Sequence, residues 1–133
     1  MKITENDVKK QIIAYLKLKN ILYIRNNTAA VQVYDKRAVE AGKKPRMMVT
    51  GTPGSPDLII ALKEGITLWV ELKRPRSEQA GKNYPAGKQS DKQKEFYNKL
   101  SKLGHFYYVI HSVEELVDAI KNCETYYVTS DNW

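Results

Sequence analysis

Asp57, Glu71 and Lys73 are the side chains in this sequence best suited to catalysis. Asp57 closes a turn that reads Gly54-Ser55-Pro56-Asp57 and precedes an apolar run. Glu71 and Lys73 lie in the segment 67–73, whose alternation of apolar and polar residues predicts a strand. Because they are two residues apart, both side chains should lie on one face of that strand.

The two acidic residues are expected to meet across a hairpin. Lys63-Glu64-Gly65 fits a tight connection between strands at 57–62 and 67–73. Counted outward from this connection, Asp57 lies about seven residues back and Glu71 about six residues forward. Two carboxylates and one amine therefore converge at one edge of the predicted sheet.

Such a group of side chains is suited to binding a divalent metal ion. Two carboxylates in close contact repel each other, and a cation between them removes the repulsion. Oxygen ligands suit Mg²⁺ or Mn²⁺, and a metal so held can polarise a phosphodiester and lower the pKa of a bound water. The ammonium group of Lys73 could orient that water or stabilise negative charge in the transition state. These properties favour metal-assisted hydrolysis of a nucleic-acid backbone.

Each of these residues also has a purely structural interpretation. Pro-Asp before a strand is ordinary turn chemistry. A Glu and a Lys two positions apart are common on a half-exposed strand. Their combination at matched strand ends favours catalysis, but the pattern by itself leaves both interpretations open.

Two further polar residues lie on apolar helix faces. At ~100° per residue, Glu5 falls at the centre of the apolar stripe of a helix predicted over 5–19. The helix dipole also favours acids in a first turn, which is a structural explanation for Glu5. Gln93 points to the apolar side of a second helix, although it is also the last residue of a capping box, Ser90-Asp91-Lys92-Gln93.

The predicted elements that must position these residues alternate between helices and strands. They are helix 5–19, strands 21–24, 57–62 and 67–73, helix 90–104, strand 105–111, a helix from 112 and a short final strand at 126–129. Strands near 31–33 and 47–49 are candidates around a basic stretch, and 74–88 is predicted to be a basic loop. This order is typical of a mixed sheet with helices against it.

The composition fits a single domain, 1–133, with a polyanionic partner. The formal net charge is +7 and the pI is about 9.4, which favours binding to nucleic acid. The single Cys123 excludes an internal disulfide and any zinc site built from several cysteines. No apolar run approaches the ~20 residues of a membrane span, and the polar N-terminal residues lack a signal-peptide pattern. We expect a cytoplasmic protein with no membrane partner, in a bacterial host cell if a phage encodes it.

Taken in order, these residues resemble the VRR-NUC domain, the virus-type replication-repair nuclease of the PD-(D/E)XK superfamily. The resemblance is carried by Glu5, Gly54-Ser55-Pro56-Asp57, Glu71-Leu72-Lys73 and Ser90-Asp91-Lys92-Gln93, and it extends to about Ile120. It implies the α/β core of restriction-endonuclease-like proteins, with a mixed central sheet flanked by helices. It also implies a DNA nuclease that depends on Mg²⁺ or Mn²⁺.

The resemblance further implies a set of metal ligands. Asp57 and Glu71 would bind the metal ion, and Leu72 would offer its backbone carbonyl as a further ligand. Glu5 would support the metal ion or its waters.

Two more roles follow from the same resemblance. Lys73 would be the catalytic lysine, and Gln93 would orient that lysine or the substrate. The small size is similar to that of the stand-alone phage members, which implies a homodimer that acts on structured or branched DNA.

Basic and polar residues that flank the predicted site in sequence are expected to bind phosphates without reading base sequence. A solvated loop is the alternative for each of them. The candidates are Arg25, Asn26, Lys36, Arg37, Lys43, Lys44, Arg46, Arg74, Arg76 and Lys88.

The expected function is that of a metal-dependent DNA endonuclease, selective for branched or junction DNA in replication, recombination or repair. Within the superfamily, the alternatives are a Holliday-junction resolvase and a restriction-type nuclease. Outside catalysis, the alternative is a nucleic-acid-binding module on the same scaffold. The complete set of Asp57, Glu71 and Lys73 argues against that module.

Overall fold

A computed structural model describes residues 2–26, 29–33, 35–44 and 46–130 of the chain. Its helices are α1 (Glu5–Leu18), α2 (Lys36–Glu40), α3 (Asp91–Lys102) and α4 (Val113–Ser130). Its strands are β1 (Tyr23–Arg25), β2 (Ala29–Val33), β3 (Arg46–Thr50), β4 (Leu58–Ala61), β5 (Thr67–Leu72), β6 (Ser77–Gln79), β7 (Lys82–Tyr84) and β8 (Phe106–Ile110).

The central sheet has the strand order β1-β4-β5-β8. β4 is antiparallel to both β1 and β5, whereas β5 and β8 run parallel, so the sheet is mixed. The 3₁₀ turn Lys63–Gly65 joins β4 to β5, as the hairpin prediction required. β2 pairs with β3 and β6 pairs with β7 in two separate two-stranded sheets. The predicted fold class, a mixed sheet flanked by helices, is confirmed.

The main core lies between the sheet and the pair of helices α1 and α4. Alternate residues of β4 and β5 supply one side of it, because every second strand residue points to the same face. On α1 the buried residues are Val8, Ile12 and Leu16, spaced four apart as a helix requires. Cys123 of α4 is fully buried in this core as a free thiol.

Local capping chemistry sets where the first and third helices begin. Thr4 caps α1 in a capping box with Asp7, and Ser90 caps α3 in the predicted box with Gln93. At α4, the Ser112 hydroxyl accepts from the backbone N–H of Glu115. The Glu115 carboxylate accepts from the backbone N–H of His111, the residue before Ser112, at 2.7 Å.

The predicted short strand at 126–129 is wrong, because α4 continues through Ser130. No glycine or proline interrupts 113–130, and buried α4 residues recur at helical spacing as far as Cys123. Tyr126 extends this face, since its ring packs edge-on against Phe106 at a centroid distance of 5.4 Å. The continuous helix that begins in the packed part of α4, with no breaker after Cys123, therefore outweighs the β propensity of the residues at this end.

The two basic segments also contain more regular structure than their sequences predict. Within the first, α2 begins at Lys36, and its cap Asp35 accepts from the backbone N–H of Arg37. Within the predicted loop 74–88, β6 and β7 form a hairpin. Its turn has positive φ at both Ala80 (50°) and Gly81 (74°), the combination that matches the twist of paired strands. Among the described residues, no helix is both long enough and apolar enough to cross a membrane.

Candidate metal and active site

Three acidic side chains from three elements meet at one end of the sheet. Leu58 of β4 lies opposite Val70 of β5, and continuing this register by one residue places Asp57 opposite Glu71. Glu5 comes from the first turn of α1. One carboxylate oxygen from each of the three lies within 4.8 Å of the other two. This spacing and the all-oxygen donor set fit a hard divalent cation such as Mg²⁺ or Mn²⁺.

The turn before Asp57 is held by a side chain from the neighbouring strand end. Asn26, which follows β1, donates from Nδ2 to Ser55 Oγ and to the Pro56 carbonyl, each at 2.9 Å. Its backbone N–H donates to the Asp57 carbonyl at 2.8 Å. The three bonds fix the position at which Asp57 enters the sheet.

Gly54 brings the same turn against the start of α3. Its φ of +82° is in the left-handed region, and a Cβ there would lie only 2.5 Å from the Lys92 carbonyl oxygen. Only glycine allows this approach without displacement. The contact brings the Asp57 turn next to Gln93, the neighbour of Lys92.

Asp57 also contacts the strand that carries the other acid. Its Oδ2 accepts a 2.8 Å hydrogen bond from the backbone N–H of Leu72. The bond ties the end of β4 to the end of β5 and aims the carboxylate toward Glu71. The role of the Leu72 backbone carbonyl as a metal ligand stays a prediction.

Glu71 is almost fully buried, with 1% of its surface exposed, and both of its oxygens are contacted. Gln93 Nε2 donates to Oε1 at 2.8 Å, while Gln93 Oε1 accepts from the backbone N–H of Ser90. The Tyr107 hydroxyl donates to Oε2 at 3.5 Å and itself accepts from Gln89 Nε2 at 3.3 Å. Gln93 thus contacts the acid directly, and its expected orientation of the lysine or the substrate stays a prediction.

Lys73 lies beside the acids and is enclosed by the chain that follows it. Its Nζ is 3.7 Å from Glu71 Oε1, and the residue is 8% exposed. The chain returns over the lysine at Gly87, whose N–H donates to the Arg74 carbonyl at 3.0 Å. A Cβ at Gly87 would lie 3.3 Å from the Cβ of Lys73, so the return segment covers the aliphatic stem closely. Only the ammonium end is left to face the acids.

The surroundings of Glu71 raise its pKa to about 8. Burial is the largest cause, followed by the negative charge of Asp57 and a hydrogen bond between the two carboxyl groups. Lys73 opposes the shift, and Glu5 adds to it. Glu71 therefore favours its protonated form at neutral pH unless a cation takes the place of the proton.

The comparison with protein families identifies the relatives of this chain. The model of the VRR-NUC domain matches residues 4–114 of the 133. The chain belongs to the VRR-NUC family. No curated protein and no solved structure matches it significantly. Membership in this family implies a nuclease fold with DNA as substrate, and the acidic cluster of Glu5, Asp57 and Glu71 is suited to a divalent metal.

The residues predicted to bind DNA are spread over several parts of this VRR-NUC domain. Arg25, Lys36, Arg37, Lys43, Lys44, Arg76 and Lys88 are exposed, Arg74 is half-buried, and Arg46 begins β3. Arg74 Nε donates to the Pro85 carbonyl at 3.2 Å, which holds the segment that returns over Lys73 at Gly87. The side-chain amide of Asn26 is engaged by the Ser55-Pro56 turn. Contact of these residues with DNA stays a prediction.

Sequence patterns did not single out three residues that this VRR-NUC site uses. Tyr107 and Gln89 support Glu71, and Gly87 packs on Lys73. Tyr107 lies beside Trp69 in the parallel pair of β5 and β8, on the face that also carries Glu71. Pairing the strand at 105–111 with the one at 67–73 would have found it. Tyr107 is 7% exposed, so its ring belongs to the packed interior beside Glu71.

Proposed function

We propose that this protein is a metal-dependent DNA endonuclease that hydrolyses phosphodiester bonds at the cluster of Glu5, Asp57 and Glu71. The observation that carries the proposal is the placement of three carboxylates within 4.8 Å of one another beside an enclosed lysine. A buried acid with a pKa near 8 is costly for a structural role alone. The family supports the same reaction class.

The three acids would hold Mg²⁺ or Mn²⁺, with the Leu72 carbonyl as a further ligand. Asp57 and Glu71 are anchored through Leu72, Gln93 and Tyr107, so their oxygens are preorganised. When bound, such an ion polarises the scissile phosphate and lowers the pKa of a water.

The remaining chemistry is assigned to side chains of the chain itself. Hydrolysis forms a bond from water oxygen to phosphorus, breaks one P–O ester bond and delivers a proton to the leaving oxygen. The Lys73 ammonium would stabilise negative charge on the phosphate as this charge builds. Gln93 and Tyr107 would keep Glu71 from rotating, which preserves the distance between the acids.

The substrate and assembly follow from the resemblance to stand-alone phage members. We expect a single-domain protein that acts as a homodimer and prefers branched or junction DNA. Light scattering on purified protein tests the dimer. Cleavage of branched, nicked and linear DNA of matched sequence tests the preference.

The central test is the conversion of Asp57 to asparagine. Asp57→Asn keeps an oxygen that can accept from Leu72 N–H but removes the charge, so the fold should persist. With Mg²⁺ or Mn²⁺, we expect it to lose more activity than the ~10–100-fold typical of losing a group that only supports a ligand. Binding to DNA in EDTA should remain. Asp118→Asn, a change of the same kind on the exposed side of α4, is the matched control and should cut like the parent.

Two outcomes would contradict the proposal. Cleavage by Asp57→Asn at the parent's rate would remove the acidic cluster from the mechanism. DNA binding without any metal-dependent cleavage by the parent would instead favour the non-catalytic module.

A further inference from the structure

A shallow groove runs along the outer side of α1, the helix that also carries Glu5 of the acidic cluster. Its volume is about 390 Å³. Its lining includes Asn6, Lys9, Lys10, Ile13, Lys17 and Arg25. Four of these six are cations, and no acidic residue lines the groove within the part of the chain that the structure describes.

The spacing of the α1 residues arranges them as one track. At ~100° per residue, the α1 lining residues share a face adjoining the buried stripe of Val8, Ile12 and Leu16. From Asn6 to Lys17 the helix rises ~16 Å at ~1.5 Å per residue, a length that spans several phosphates of a DNA strand. The lysines of the groove therefore lie along the helix axis rather than in one compact cluster.

Two residues of the groove are sequence neighbours of residues at the proposed site. Asn6 follows Glu5 directly, and Arg25 precedes Asn26, which holds the turn that ends in Asp57. The groove and the acids thus share one helix, α1, and the strand end at Arg25 and Asn26.

The cations of the groove are not used by the fold. Within residues 2–26, 29–33, 35–44 and 46–130, none of the four forms an ion pair within 4.0 Å. Lys10 helps to lower the pKa of Asp7, but Thr4 is the larger cause and its hydrogen bonds already satisfy that carboxylate. Clustered like charges without partners destabilise a fold by mutual repulsion, so a polyanion is the ligand that this groove fits.

We propose that this groove binds the phosphate backbone of a DNA duplex arm adjacent to the cleavage site. The proposal rests on the proposed function and adds Lys9, Lys10 and Lys17 to the DNA contacts. The lysine ammonium groups lie on exposed or half-exposed side chains that reach the phosphates, while Ile13 forms part of the floor. Such contacts fix the position of an arm without reading its sequence.

The test compares two triple variants with the same loss of charge. One changes Lys9, Lys10 and Lys17 to glutamine. The control changes Lys63, Lys102 and Lys121 to glutamine; these lysines are exposed and lie outside the groove. Glutamine has nearly the helix propensity of lysine, so α1 should persist, and circular dichroism checks this. Affinity for a labelled DNA duplex is measured in EDTA over a series of salt concentrations, and cleavage is measured separately with Mg²⁺.

The groove variant should bind at least about tenfold more weakly at low salt, with a salt slope reduced by about 2–3 for three lost phosphate contacts. The control should stay within about twofold of the parent, since a general loss of charge has a weaker effect than a lost contact. Arg25→Gln alone should reduce the slope by about 1.

The failures of the two proposals are distinguishable. If the parent cuts DNA but the groove variant binds like the control, the groove assignment is overturned and the nuclease assignment stands. A parent that binds phosphatidylserine vesicles but neither binds nor cuts DNA overturns both.

Discussion

The side chain of Glu71 is where stability and activity conflict. It is buried, and its pKa of about 8 lies above the ordinary value of 4.5. The folded state therefore binds a proton more tightly than the unfolded state does. Between these two pKa values, stability must fall as pH rises, by at most about 1.4 kcal/mol per pH unit. The unfavourable contribution is absent below the unfolded pKa and complete above the folded one.

Glu71→Gln should therefore remove a pH dependence from the metal-free protein. The amide is neutral at every pH, so the free energy of unfolding of the variant, relative to the parent, should increase between pH 5.5 and 8.5. Urea unfolding in EDTA measures both. Glu114→Gln, on the exposed side of α4, is the control and should keep the parent's slope. A difference between parent and Glu71→Gln that does not change with pH would show that the shift is absent.

Tyr107 offers a second measurement at a single side chain. Its hydroxyl contacts Glu71 Oε2, and burial together with the Glu71 charge raises the pKa of Tyr107, which keeps the hydroxyl a donor. Tyr107→Phe should lower Mn²⁺ affinity and cleavage by about 10-fold, the lower end for a group that supports a ligand. Tyr97→Phe is the control, because Tyr97 packs on the Tyr107 ring at 4.9 Å without contacting Glu71. Calorimetric titration with Mn²⁺ measures the affinity, and equal affinities in both variants would remove Tyr107 from the site.

Among the elements, the contact between the Gly54 turn and α3 sets the position of Asp57 relative to Gln93. Gly54→Ala should destabilise the fold strongly, since its Cβ would meet the Lys92 carbonyl at 2.5 Å and its φ is +82°. Gly104→Ala is the control for the backbone strain of a positive φ alone, because Gly104 has a φ of +84° and nothing lies within 4 Å of the added Cβ. The control should lose about 1 kcal/mol from strain alone, while Gly54→Ala loses more and also loses cleavage. Urea unfolding distinguishes them, and equal losses would mean that the turn can move away from α3.

The elements also show how far sequence patterns reach. The hairpin at Lys63–Gly65 and the Ser90 cap depend on residues a few positions apart, so their local chemistry predicted them correctly. The meeting of Asp57 with Glu71 followed from the hairpin register. The support of Glu71 by Tyr107 and the extension of α4 past Cys123 depend on packing between distant segments. The β propensity of 126–129 competes with the helical spacing of α4, and Tyr107 is placed only once β8 is paired with β5, which is why both escaped prediction.

Across the whole chain, the acidic cluster joins segments that are far apart in sequence. Glu5, Asp57 and Glu71 come from α1, the turn before β4, and β5. A ligand that binds only the folded state stabilises it by about 2.7 kcal/mol at a hundredfold excess over Kd. Metal binding at this cluster should therefore stabilise the folding of the complete domain, and not only the site.

A reversal in the order of stability between parent and Asp57→Asn would test this linkage directly. In EDTA, the variant should be at least as stable as the parent, because the Asp57 charge that opposes ionisation of Glu71 is gone while an acceptor for Leu72 N–H remains. In saturating Mn²⁺, the parent should gain stability and the variant should gain far less, so the order reverses. Thermal unfolding followed by circular dichroism in both conditions measures the four values. A parallel rise in both proteins would locate the metal elsewhere, and no rise in either would leave the three acids without the cation that their spacing fits.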